Sequence, residues 1–171
     1  MHILQAVLAV VFPALVIVAA LRDVTSYTIP NWISLALIAA FPPAALAMGL
    51  PLPMLGLHLG VGAGGLVLGM AMFALGWIGG GDAKLFAAAA LWLGWPAAAT
   101  FGVITAVAGG GLAMTLLALR SSSLRPFVVT GPAWFSRLAE PGENVPYGLA
   151  IAIGALAAFP ASPFMKPFIG A

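Results

Sequence analysis

Asp23 and Asp82 are the chain's two aspartates, and with Glu140 and Glu143 they are its four acids. Two carboxylates that meet cannot easily ionise together, so they share a proton. One can then activate water as a base while the other polarises a carbonyl or protonates a leaving group, which is what peptide hydrolysis needs. Asp82 stands behind Gly79-Gly80-Gly81 and before Ala83-Lys84-Leu85-Phe86, at the boundary of two apolar segments. Those glycines leave room for another backbone or an extended substrate. Asp23 follows Arg22 where the first apolar run ends.

Each aspartate also has a plainer reading. Asp82 at the start of a helix is a favoured N-cap, and Asp23 beside Arg22 reads as a solvated pair at the membrane edge. Against these readings, ionisable groups near a bilayer are costly and are functional candidates by default. The helix macrodipole suits Asp82, at an N-terminus, to the base, and Asp23, near a C-terminus, to the acid. Arg22 opposes that split by stabilising the Asp23 anion. His58 lies roughly 30 Å from the aspartates at ~1.5 Å per helical residue and reads as an interhelical contact, while His2 is terminal. With no cysteine and no histidine near the acids, neither a metal nor another cofactor is expected.

The elements that must position the pair belong to a membrane protein. Of 171 residues, 63% are hydrophobic and 6% charged, and the mean hydropathy is +1.16. A water-soluble domain is about a quarter charged. A single all-α membrane domain over 1–171 is expected, and the net charge of +2 gives no sign of nucleic-acid binding. With about 20 apolar residues per span, six helices are expected: Ile3–Leu21, Trp32–Leu50 kinked at Pro42-Pro43, Met54–Ile78, Ala83–Trp95, Ala97–Leu119 and Pro146–Phe164. The first lacks a basic n-region and reads as a retained span rather than a signal peptide. Putting its C-terminal end in the cytoplasm places Arg22, Lys84, Arg120, Arg125 and Arg137 inside and only Lys166 outside, as the positive-inside rule requires. All four acids then face the cytoplasm and both termini lie outside. Gly56, Gly60 and Gly64, followed by Gly65 and Gly69, read as a helix-packing stripe. Residues 120–145 form a cytoplasmic or interfacial loop, within which 132–138 could make a short interfacial helix, a passive anchor or a gate beside the site.

Asp23 followed by Ile29-Pro30-Asn31, then Gly79-Gly80-Gly81-Asp82-Ala83-Lys84-Leu85, then Pro146-Tyr147-Gly148, resembles the type IV prepilin peptidases, polytopic aspartic proteases of the GxGD type. The short length is similar to the Flp/Tad-pilus branch. The resemblance implies that Asp23 and Asp82 are the catalytic pair. It also implies that Gly79, Gly81, Lys84, Pro30, Asn31, Pro146, Tyr147 and Gly148 shape the site or bind substrate. It further implies a multi-pass protein of the bacterial cytoplasmic membrane. The substrate would be a prepilin, with a short basic leader and a hydrophobic N-terminal helix, cut next to a glycine at the cytoplasmic face. Membrane lipid would be the other partner. The larger members also N-methylate the new terminus with an added domain, often carrying paired cysteines, for which this chain has no room. Two other classes stay open. A small transporter or proton-coupled channel would use the acids as a relay near the midplane. A presenilin-type GxGD protease would place a tyrosine before its first aspartate, where this chain has Arg22.

Overall fold

A computed structural model of the chain describes residues 2–121, 136 and 145–169. The described residues contain helices and no strand: α1 (His2–Ser26), α2 (Asn31–Ala47), α3 (Leu52–Ala74), α4 (Gly80–Leu93), α5 (Ala97–Leu119), α6 (Tyr147–Ala158), a 3-10 turn (Phe159–Ala161) and α7 (Lys166–Ile169). α1, α3 and α5 are long and apolar enough to cross a membrane, and α2 and the segment Tyr147–Ala161 are shorter apolar helices. Most of the 120–145 loop, including 132–135, 137–138, Glu140 and Glu143, lies outside the described residues.

Helix ends differ from the sequence expectation for local reasons. α1 runs past Leu21 to Ser26, and in its last turn the Thr25 and Ser26 hydroxyls donate to the Leu21 and Arg22 carbonyls at 2.7 and 2.6 Å. The apolar run marks a span, and the helix outlasts it. α3 stops at Ala74 rather than Ile78. Gly76 takes φ +73, while Gly76 N–H and Trp77 N–H close on the Phe73 and Met72 carbonyls. That is a Schellman end, which requires the left-handed conformation glycine adopts freely. Gly49 ends α2 at Ala47, short of Leu50, in the same way. α2 begins one residue early, at Asn31, and continues through Pro42-Pro43. α4 begins at Gly80, ahead of the expected Ala83, and ends before Gly94. Pro160 turns the end of the sixth segment into the 3-10 turn. Only α5 has the expected bounds.

Successive helices run up and down. Gln5 Nε2 donates to the Ala47 carbonyl at one end of the bundle, and Lys84 Nζ donates to Asn31 Oδ1 at the other. α4 is central: Ala83, Leu85 and Ala87 to Leu93 are all buried. Its far end is locked by aromatic packing of Trp92 with Phe12, Phe41 and Phe164 and by the Trp92 indole N–H on the Leu37 carbonyl. His58 is buried there with Nδ1 2.7 Å from the Leu91 carbonyl, an interhelical contact as expected. Leucines, valines and methionines are exposed along the outer faces, including Val7, Leu35, Val67 and Met114, as a lipid-facing surface requires.

The expected packing stripe holds only in its second part, Gly65 and Gly69. Gly56, Gly60 and Gly64 have nothing within 4 Å of a Cβ, whereas Gly62, Gly65 and Gly69 seat α3 on Leu91, Ala90 and Ala83 of α4. The strict four-residue run Gly56-Gly60-Gly64 makes no helix contact, and Gly62 joins the expected Gly65 and Gly69 in carrying it. Gly69→Leu should therefore lower thermal stability by roughly 1–3 kcal/mol through overpacking, while Gly60→Leu should be near neutral. Equal losses in detergent melting would put the seam back on the Gly56–Gly60–Gly64 row.

Candidate active site

Asp23 and Asp82 come from distant stretches of chain and line the same two pockets. Asp23 sits in the last turn of α1 and is 5% exposed, and Asp82 is 7% exposed. Arg22 beside it is exposed, so the pair is not a solvated one. Asp23 is held instead by α6, where the Gly148 N–H donates to Asp23 Oδ2 at 2.7 Å. The Asp82 charge also acts on Asp23 electrostatically.

Asp82 is the third residue of α4, not its N-cap. Gly79 occupies the N-cap, and its N–H donates to Asp82 Oδ2 at 2.9 Å. This is half of a capping box, since Gly79 has no side chain to return the bond. The capping reading thus accounts for one oxygen. Asp82 Oδ1 is buried with no hydrogen-bond partner among the described residues, an unusual state for a buried carboxylate oxygen.

The glycines serve close approach of protein to protein. A Cβ on Gly81 would lie 3.1 Å from the Ile29 carbonyl and Cβ, and one on Gly79 would lie 3.0 Å from Asp82 Oδ2. Of the expected alternatives at Gly81, the neighbouring backbone of Ile29 fills the space, and the glycine sits in a helical turn. A Cβ on Gly80 would make only an ordinary 3.6 Å contact with the Phe73 ring.

The other expected site residues divide into two groups. Gly79, Gly81 and Tyr147 line the aspartate pockets. Pro146 is buried at the N-cap of α6 and sets the approach of Gly148. Pro30 is the N-cap of α2, while Asn31 and Lys84 bond to each other and line a neighbouring cleft rather than the aspartate pockets. Among the pocket residues that escape the sequence reading are two aromatics. Trp77 lines the smaller pocket, of about 140 Å³. Tyr27 lines both and holds φ +53, with its N–H on the Asp23 carbonyl at 2.8 Å. It caps α1 in the left-handed conformation usually given to glycine, a strain that clusters at functional sites. The sequence signal is the absence of any glycine between Asp23 and Pro30, where α1 has to end. Among the described residues no three His, Asp or Glu come together as a metal would need.

A model of the type IV leader peptidase family matches residues 10–114. No curated protein and no solved structure matches the chain. The matched stretch contains both aspartates and their glycines and exceeds half of the chain, while Gly148 reaches the pair from outside it. The protein belongs to the type IV leader peptidase family, and is a membrane peptidase of that class.

Proposed function

We propose that this protein is an aspartic endopeptidase of the bacterial inner membrane that removes the short N-terminal leader of Flp-like prepilins at the cytoplasmic face. The observation that carries the mechanism is the meeting of Asp23 and Asp82, both buried, in one small pocket. Asp82 Oδ1, which has no hydrogen-bond partner among the described residues, accepts a proton from the attacking water. Asp23, steadied by the Gly148 amide, carries the proton that polarises the scissile carbonyl. Water oxygen bonds to the carbonyl carbon, the C–N bond breaks, and the departing amine takes up a proton to become the new N-terminus. The relay reading is weaker, because both acids sit at helix ends rather than in mid-helix.

Co-expression with a Flp-type prepilin tests this directly. Leader loss on a gel, with the mature N-terminus sequenced, is the expected result, and an uncut prepilin beside abundant membrane-inserted enzyme would overturn it. Orientation has its own test. A cysteine in place of Pro51 should react with a membrane-impermeant thiol reagent applied from outside, and one in place of Ser121 should not. The native chain has no cysteine to confuse the readout. Reversed labelling would put the aspartates on the wrong face for prepilin processing.

A further inference from the structure

α3 packs principally on α4, and α2 and α3 make no broad contact with each other. Between them lies a cleft of about 540 Å³. Its walls include Leu35 and Ile38 of α2 and Leu59 and Leu66 of α3, with Ala63 and Ala87 on its surface. Its lining is apolar except for Asn31 and Lys84 at its mouth and Ser34 one turn further along α2. We propose that this cleft seats the apolar helix that follows the scissile bond of the substrate, a docking track that rests on the leader-peptidase reading.

Three features select that occupant. The first is continuity with the site. Lys84 follows Asp82 by two residues in α4, a rise of ~3 Å, and Asn31 follows Ile29, whose backbone packs on Gly81. The mouth thus opens beside the aspartate pockets, and a substrate cut there must continue into the bilayer. A second cleft, of about 430 Å³, lies between α3 and α5 and includes Trp95, Ala98 and Ala99 at the far end of α4. It does not begin at the aspartates. The second feature is shape: the small side chains of Ala63 and Ala87 let a helix backbone come close, which is how helices associate in lipid. The third is charge. Lys84 is exposed and pairs with the neutral Asn31, and no carboxylate partners it among the described residues. A basic leader is repelled from that ammonium, so the leader departs the other way and the apolar segment takes the cleft.

The test fills the cleft and maps it. Ala63→Trp should slow processing of a co-expressed Flp-type prepilin about tenfold or more, with the loss in KM for the membrane-anchored substrate. Val67→Trp, at a position 70% exposed and outside both clefts, should process normally. A short peptide that spans the scissile bond but lacks the apolar segment should be cut equally by Ala63→Trp and the unaltered enzyme. In an Asp82→Asn background, Ala63→Cys should form a disulfide with a cysteine placed in the prepilin's apolar segment, and Val67→Cys should not. Normal processing by Ala63→Trp, or adducts equal at the two positions, would overturn the track and leave the cleft to lipid. Adducts at Ala63→Cys with no cleavage by the unaltered enzyme would keep the track and remove the peptidase reading. Absence of both adduct and cleavage would remove both.

Discussion

Asp23→Asn and Asp82→Asn should each abolish leader cleavage while leaving a folded protein in the membrane. Asparagine keeps the size of the side chain and one acceptor oxygen. The Gly148 N–H can still bond position 23, and the Gly79 N–H can still bond position 82. The loss of an anion near the start of α4 costs only about 0.3–1 kcal/mol of helix stabilisation. What disappears is proton transfer, and a positioned general acid or base is worth about 10²–10⁴ in rate. Because the two groups act as a unit, the double variant should be little worse than the worse single variant. Initial cleavage rates and detergent melting temperatures, measured on the same preparations, separate chemistry from folding. Substantial turnover by either variant would falsify the pair.

The all-helical, apolar character of the chain and its two aspartates were legible in the sequence, because each depends on residue type and run length. The helical segment Ala97–Leu119 is both the expected and the observed α5. What was not legible depends on how elements meet. Glycine spacing in α3 pointed to Gly56, Gly60 and Gly64 as well as Gly65 and Gly69, yet only the last two, with Gly62, face α4. Both rows have helical periodicity, and only the partner decides which one is buried. Asp82 read as an N-cap because the three glycines resemble a loop, but Gly80 and Gly81 form the first turn of α4. Tyr27 gave no periodic signal, since its left-handed backbone is imposed by the turn from α1 into α2. The family motif brought Asn31 and Lys84 to notice as site residues. The fold places them at the mouth of a lipid-facing cleft beside the aspartates.

Gly148→Ala should cost about 10²-fold in cleavage rate, although it adds one methyl group far along the chain from either aspartate. A Cβ at 148 would lie 2.8 Å from Asp23 Oδ2, 2.8 Å from Ile29 Cδ1 and 2.9 Å from Asp23 Cβ. The Ile29 methyl can swing aside, but Asp23 Cβ is fixed to the α1 backbone. α6 must therefore withdraw from α1. That lengthens the 2.7 Å bond from the Gly148 amide, which to a protonated carboxyl is worth about 0.5–1.5 kcal/mol. Asp23 is then free to shift, and a misplacement of about 1 Å in a catalytic group can cost 10²-fold. The bundle should survive, because α6 is anchored to α5 along a separate face, with Tyr147 against Gly109 and Gly154 against the Phe101 carbonyl. Gly80→Ala is the matched control: its methyl meets only the Phe73 ring at 3.6 Å, so it should cut at close to the normal rate. Cleavage rate and melting temperature for the two variants give the comparison. A Gly148→Ala enzyme that cleaves normally would show that Asp23 does not need the α6 amide to hold it, and the role of this contact in the site would be lost.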